Sequence, residues 1–95
     1  MNKVGTRRNG APIMLAISYS DHARTALEER EIAQEWVERT LFEPEQTELD
    51  PVHPERVRAF RSIPERDGRV LRVVYVPSVL GCRVITVFFD RGQRR

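Results

Sequence analysis

The sequence contains a single cysteine, Cys82, and no cluster of cysteine and histidine residues. One cysteine cannot close an intramolecular disulfide, and a structural zinc site needs four clustered thiolate or imidazole ligands. These absences exclude a disulfide scaffold and a zinc finger. We expect no metal and no cofactor, and we expect Cys82 to behave as a small, inert hydrophobic residue.

Long apolar runs are also missing. The stretch over residues 12–17 is shorter than the about 20 residues of a membrane span and the about 7–15 residues of a signal-peptide core. We therefore expect a cytoplasmic protein that does not bind membranes. The chain also lacks a glycine-rich phosphate loop, a serine-centred elbow and an HExxH motif, so nucleotide hydrolysis, esterase chemistry and metalloprotease chemistry have no support.

The length and composition predict one small folded domain. The chain has 95 residues, of which 40% are hydrophobic and 32% charged, and this is typical of a globular protein. We expect a flexible tail over residues 1–11, a single domain over residues 12–91 and a short tail over residues 92–95.

The charges are segregated along the chain. Residues 20–55 carry eleven acidic side chains and three arginines, a net charge of −8, whereas residues 56–95 carry ten arginines and three acidic side chains, a net charge of +7. Arginine outnumbers lysine fifteen to one, and its planar guanidinium suits bidentate phosphate contacts. A preference for arginine codons explains this ratio but not the segregation, which favours an anionic partner.

Two short helices are predicted in the acidic part. Ser20 can accept from the free amides at a helix start, and the first apolar stripe follows at helical spacing, at Ala23, Ala26 and Leu27. The apolar pattern is displaced at Ile32, so a second helix is expected, and it should end near Phe42 because Pro44 disfavours the helical region for the residue before it. Residues 44–55 hold three prolines and no period, which indicates an acidic surface loop.

The basic part predicts three consecutive strands, over residues 57–63, 70–76 and 83–89, with turn residues between them. Short links imply an antiparallel meander, and residues 14–19 form a candidate additional strand. The expected fold class is α+β, with two short N-terminal helices on one face of a three- to four-stranded antiparallel sheet.

Side-chain alternation along the strands separates a helix-facing side from an open side. We assign to the helix-facing side the apolar residues Leu71, Val73, Ile85 and Val87. The open side then carries Arg72 and Thr86, together with Arg58 or Arg61.

A set of short matches along the chain resembles a bacterial domain family of unknown function, whose members are placed beside RelE- and BrnT-like toxins. The residues that carry the resemblance are His22-Ala23, Arg30-Glu31-Ile32, Val37, Pro44 and Val84-Ile85-Thr86-Val87-Phe88. The resemblance implies a RelE/barnase-like fold and a metal-independent ribonuclease of a toxin–antitoxin system. Its implied partners are RNA, including RNA on the ribosome, and an antitoxin protein.

The resemblance also implies a candidate site. His22, Arg30 and Thr86 match the family pattern, and Arg61 or Arg72 would supply the basic residue of the sheet. Where relatives often have serine or threonine opening the second helix, this chain has Ala33, so that helix lacks a capping oxygen.

Metal-free RNA cleavage needs proton transfer and positive charge on the phosphate. A histidine with a pKa of about 6.5 suits proton transfer. We therefore assign His22, Arg61, Arg72 and Thr86 as catalytic candidates. The RNA-binding candidates are Arg30, Arg58 and Tyr75, with Phe60 as a second aromatic residue that could stack a base.

Each assignment has an ordinary alternative. His22 could make only local hydrogen bonds, Arg30 could pair with Glu31 or Asp21, and Thr86 is a good strand former. Arg61 and Arg72 could be plain solvated or edge-protecting residues, and Tyr75 and Trp36 are core candidates. We interpret His53 as a surface residue.

Two functions from different classes are therefore compatible with the sequence. The first is a ribonuclease-like toxin domain, and the second is a non-catalytic domain of the same fold that binds nucleic acid or an acidic protein. A homodimer, in which acidic segments cover basic ones of a second copy, is a further alternative. Convergence of His22, a sheet arginine and Thr86 would favour the first.

Overall fold

The structure is a computed structural model that describes residues 16–91. Its elements, in chain order, are β1 (Ala16–Tyr19), α1 (Asp21–Glu29), α2 (Gln34–Phe42), β2 (Gln46–Leu49), β3 (Val57–Ile63), a 3₁₀ helix (Pro64–Arg66), β4 (Arg69–Pro77) and β5 (Gly81–Asp90). The predicted tails over 1–11 and 92–95, and the first two residues of the predicted strand over 14–19, lie outside the described residues.

The α1 helix begins where the sequence predicts. The Ser20 hydroxyl accepts a hydrogen bond from the Ala23 amide at 3.0 Å and donates one to the Ile85 carbonyl at 2.9 Å. One side chain therefore caps α1 and ties its start to β5. The α2 helix follows Ala33, which offers no side-chain cap, and ends at Phe42, as expected before Pro44.

The sheet contains five strands in the order β1-β5-β4-β3-β2. The predicted meander of β3, β4 and β5 is confirmed, and β2 is antiparallel to β3, but β1 is parallel to β5. The expected sheet of three or four antiparallel strands is therefore wrong in strand number and in the direction of β1. The α+β class with two helices is confirmed.

The predicted loop over residues 44–55 is wrong at residues 46–49, which form β2. All four side chains of β2 are exposed, so neither face of the strand has the apolar alternation that reveals a strand in a sequence. The strand is held by its antiparallel pairing with β3, in which Glu48 for example lies opposite Arg58. This pairing satisfies backbone groups of β2 without burying its side chains.

A β-bulge in β5 changes the predicted core. Val74 lies opposite Thr86 and Tyr75 lies opposite Val84, so Ile85 is the extra residue. Such an insertion moves every residue beyond it to the other face. Val84 is therefore fully buried in the core, whereas Ile85, which we assigned to the core, is only partly buried.

Two glycines meet different backbone requirements. Gly68 has a φ of 76° and follows Asp67, whose φ is 58°, in the turn from the 3₁₀ helix into β4. Glycine adopts this left-handed region without steric cost. Gly81 lies so close to β1 that a Cβ atom at this position would collide with the Ala16 carbonyl.

Both helices pack on one face of the sheet. The buried cluster between them draws on both helices and on the strands β1, β3, β4 and β5. It consists of Tyr19, Ala23, Ala26, Ile32, Val37, Leu41, Ala59, Ile63, Leu71, Val73, Tyr75, Cys82, Val84 and Val87. We call the opposite side the open face, because neither of the two described helices covers it. Over the described range, no helix is long and apolar enough to cross a membrane.

The bulge can be tested with a matched pair of substitutions. We expect Val84→Ala to destabilise the protein by about 2 kcal/mol, since it removes two buried carbon atoms and leaves a cavity. Ile85→Ala removes more carbon atoms but from a partly exposed side chain, so its effect should be smaller. Urea unfolding of both variants measures the difference, and a larger loss for Ile85→Ala would contradict the bulge.

Candidate functional site

Arg72 lies at the centre of the open face and is paired. Its guanidinium carbon is 5.4 Å from the centroid of the Phe60 ring and 5.0 Å from that of the Phe88 ring. Its Nη2 is 2.9 Å from Oδ2 of Asp90. The positive charge of Arg72 is therefore matched by a carboxylate that is itself largely buried.

Arg58, the second sheet arginine on the open face, is paired as well. Its Nη1 is 3.4 Å from Glu48 Oε2, and its Nη2 is 3.3 Å from Asp50 Oδ2. The pKa of Asp50 is lowered to about 2, first by hydrogen bonds from the backbone amides of His53 and Val52 and then by Arg58. Arg58 and Arg72 therefore leave no surplus positive charge on this part of the open face.

Arg61 lies on the other side of the sheet, between the buried residues Ala59 and Ile63 along β3. Its Nη1 donates a hydrogen bond of 2.6 Å to the Glu43 carbonyl, just after the end of α2. Since carbonyl groups at a helix end lack intrahelical partners, this arrangement makes Arg61 a side-chain cap for α2. The structure does not bring Arg61 next to Arg72.

His22 and Thr86 lie on different sides of the sheet. His22 is exposed in the first turn of α1, next to Ala23, which packs into the core between the helices and the sheet. Thr86 pairs with Val74 on the open face. Tyr75 is buried in the core, where burial raises the pKa of its hydroxyl. The alternative interpretation of Tyr75 as a core residue is confirmed.

A groove of about 300 Å³ lies at the far end of β5, and it joins residues from four parts of the chain. We call it the arginine groove. Its lining consists of four arginines and two phenylalanines: Arg30 at the end of α1, Arg66 in the 3₁₀ helix, Arg69 at the start of β4, Phe88 and Phe89 in β5, and Arg91 directly after β5. Within residues 16–91, no carboxylate lies within the 4.0 Å salt-bridge distance of any of these four arginines.

Phe89 holds two of the groove arginines in place. The guanidinium carbons of Arg66 and Arg69 lie 4.8 and 4.7 Å from the centroid of its ring, within the range of cation–π attraction. The ring also makes an edge-to-face contact with Trp36, with the centroids 6.4 Å apart. Phe89 is therefore engaged by three neighbours and orients charge at the groove wall.

The guanidinium of Arg66 is also held by the junction between the helices and by α2. Its Nη1 donates to the Glu31 carbonyl at 2.9 Å, and its guanidinium carbon lies 5.8 Å from the centroid of Trp36. Glu31 has a φ of 53°, an uncommon conformation for a residue other than glycine. This turn directs the Glu31 carbonyl to Arg66 and brings Arg30 to the groove.

The 3₁₀ helix that carries Arg66 is anchored to α2 by a bidentate ion pair. Arg39 Nη1 and Nη2 each lie 3.0 Å from one of the two carboxylate oxygens of Glu65. Hydrogen bonds, first from Arg39 and then from the backbone amide of Glu65 itself, lower the pKa of the Glu65 carboxyl to about 2.

Of the predicted site residues, Arg30 alone lines the arginine groove, and the sequence analysis missed Arg66, Arg69, Arg91, Phe88 and Phe89. A usable signal was present, because Arg66 lies in the predicted turn, Arg69 directly precedes the predicted strand over 70–76, and Arg91 lies two residues after the predicted strand over 83–89. The ends of neighbouring antiparallel elements meet at one edge of a sheet.

The family comparison agrees with the resemblance seen in the sequence. Residues 19–89 match the family described as a domain of unknown function, DUF4258. The chain therefore belongs to the DUF4258 family, and the expected membership of a domain family of unknown function is confirmed. The relation to RelE- and BrnT-like toxins stays a prediction. No curated protein and no solved structure gives a significant match.

The Arg39–Glu65 pair predicts a specific acid sensitivity. The folded-state pKa of Glu65, about 2, lies below its ordinary value of 4.5, so its contribution to stability is present above pH 4.5 and is lost as the pH falls toward 2. We expect Glu65→Gln to reduce the difference in melting temperature between pH 7 and pH 3.

The control for this prediction is Glu28→Gln, in the exposed part of α1. Glu28 has no ion-pair partner among residues 16–91. The Glu28→Gln variant should show the same difference in melting temperature between pH 7 and pH 3 as the wild-type protein. If the melting temperatures of the wild-type protein and of Glu65→Gln changed equally between pH 7 and pH 3, the Arg39–Glu65 pair would contribute nothing to stability.

Proposed function

We propose that this domain binds nucleic acid, with the phosphate backbone held in the arginine groove. The observation that carries the proposal is that four arginines line one groove, with no carboxylate of residues 16–91 within 4.0 Å of their charged groups. Grouping like charges costs free energy, which a polyanion recovers when it binds and releases its counterions. Guanidinium groups also present paired donors that match phosphate oxygens.

The chemistry of the groove favours binding over cleavage. Arginine stays protonated at all physiological pH values, and phenylalanine carries no exchangeable proton. The lining residues therefore supply positive charge and apolar surface, but not the general base or acid that cleavage of RNA needs. This supports the non-catalytic alternative raised by the sequence, and nucleic acid as its partner.

The ribonuclease hypothesis stays a prediction, and it depends on His22. Arg30 lies eight residues further along the same chain segment, which corresponds to about 12 Å along a helix axis. An RNA strand in the groove would have to extend along α1 for its backbone to reach the exposed His22 imidazole.

Substitution of the groove arginines should weaken binding in a salt-dependent way. We expect Arg30→Ala to lower the affinity for a labelled single-stranded RNA several-fold at low salt. It should also reduce the slope of log K against log salt by about 0.7, the value for one phosphate contact on a single strand. The double variant Arg30→Ala/Arg91→Ala should lose about twice that slope. Fluorescence anisotropy at several salt concentrations measures both quantities.

Arg83 offers the matched control. It is exposed near the opposite end of β5, so Arg83→Ala removes one positive charge from the same strand without touching the groove. Wild-type affinity and slope are expected for this variant. An equal loss in Arg83→Ala and Arg30→Ala, or no RNA binding by the wild-type protein, would contradict the proposal.

A cleavage assay separates the two functions. If the domain only binds, a labelled RNA incubated with the purified protein stays at full length, and induction of the protein does not stall growth. RNA fragments that disappear with His22→Ala, together with growth arrest relieved by the same substitution, would establish the ribonuclease and contradict a binding-only domain.

A further inference from the structure

Phe88 and Phe89 are adjacent in β5 and both line the arginine groove, but they are engaged to different extents. Phe89 contacts Arg66, Arg69 and Trp36. Phe88 has one described ring contact, with the Arg72 guanidinium on the β4 side. Successive residues of a strand face opposite sides, so Phe88 belongs to the open face and Phe89 to the helix-facing side.

Strand pairing within residues 16–91 gives Phe88 a neighbour on one edge of β5 only. Arg72 lies opposite Phe88 on β4. On the other edge of β5, β1 pairs only with residues Gly81 to Val84, so no strand of residues 16–91 lies there at the position of Phe88. The side chain is partly exposed and forms part of the groove wall.

The other aromatic residues of the sheet are either buried or, like Phe89, already in contact with Arg66, Arg69 and Trp36. Phe60, which we considered as a base-stacking residue, is only 2% exposed, and Tyr75 is buried in the core. Within the described chain, Phe88 therefore combines partial exposure, a π-face and a position beside unpaired arginines.

From this arrangement we infer that Phe88 stacks an unpaired base and that the arginine groove is a site for single-stranded nucleic acid. This inference rests on the proposed function. A strand whose backbone lies on Arg30 and Arg91 can turn one base onto Phe88, because stacking on aromatic side chains needs only the π-face that every base has. A duplex holds its bases paired and stacked, so it can offer the groove its phosphates alone.

The experiment compares ligands that differ only in their bases. An eight-nucleotide oligodeoxyadenylate, within the about 4–16 nucleotides that small binding domains cover, is paired with an eight-unit abasic strand of the same phosphate number. We expect the wild-type protein to bind the oligodeoxyadenylate about 5- to 100-fold more tightly, which is the range that stacking of one base supports. A blunt duplex should show no such advantage over the abasic strand.

Variants at Phe88 test whether this residue causes the preference for the strand that carries bases. Phe88→Leu retains apolar bulk but loses the ring, so its affinity for oligodeoxyadenylate should fall to that for the abasic strand, with abasic binding unchanged. Phe88→Trp should restore the preference. Arg30→Ala, which removes a phosphate contact, should weaken both ligands equally.

The results that would overturn the inference differ from those that would overturn the proposed function. Equal wild-type affinity for the two strands would exclude a stacking role for Phe88, and so would an equal loss for both strands in Phe88→Leu. Neither result contradicts binding of the phosphate backbone by the wild-type protein. Polyglutamate binding as tight as that of oligodeoxyadenylate would replace nucleic acid with an acidic protein partner. Binding of neither strand would contradict the proposed function itself.

Discussion

The structure of the candidate site depends on the cation–π contacts of Phe89. Two guanidinium groups, those of Arg66 and Arg69, lie within 5 Å of the centroid of this ring. Like charges so close repel each other, and the negative potential of an aromatic face offsets part of that repulsion. The contact of Phe89 with Trp36 and the hydrogen bond from Arg66 to Glu31 connect this cluster to α2 and to the junction between the helices, so the charge is positioned before any ligand arrives.

Charges that are segregated along the chain are mixed in the folded protein. The acidic segment after α2 folds back as β2 beside β3, and two of its carboxylates, Glu48 and Asp50, neutralise Arg58. Asp90 does the same for Arg72. The surplus of positive charge therefore does not spread over the open face, as the sequence suggested, but remains where α1, the 3₁₀ helix and β5 end together.

The helices and the meander were predictable because their signals are local. Ser20 caps α1 through a bond three residues away, and the strand patterns alternate over short windows. The strand β2 and the bulge at Ile85 were not predictable, because the first has no buried face and the second shifts a register that only the partner strand reveals. The same limit applies to the groove. Alternation places Phe88 and Phe89 on opposite sides of β5, but only the folded structure shows which side chains of other elements lie beside each ring.

The parallel pairing of β1 with β5 determines when, during synthesis and folding, the arginine groove can form. The Ser20–Ile85 hydrogen bond spans 65 positions of the chain, and contacts between such distant segments form only after a large loss of chain entropy. A polypeptide emerging during translation holds Arg30, Arg66 and Arg69 without Phe89 to order them. The groove therefore forms only once β5 has left the ribosome, and the proposed binding of nucleic acid cannot begin before then.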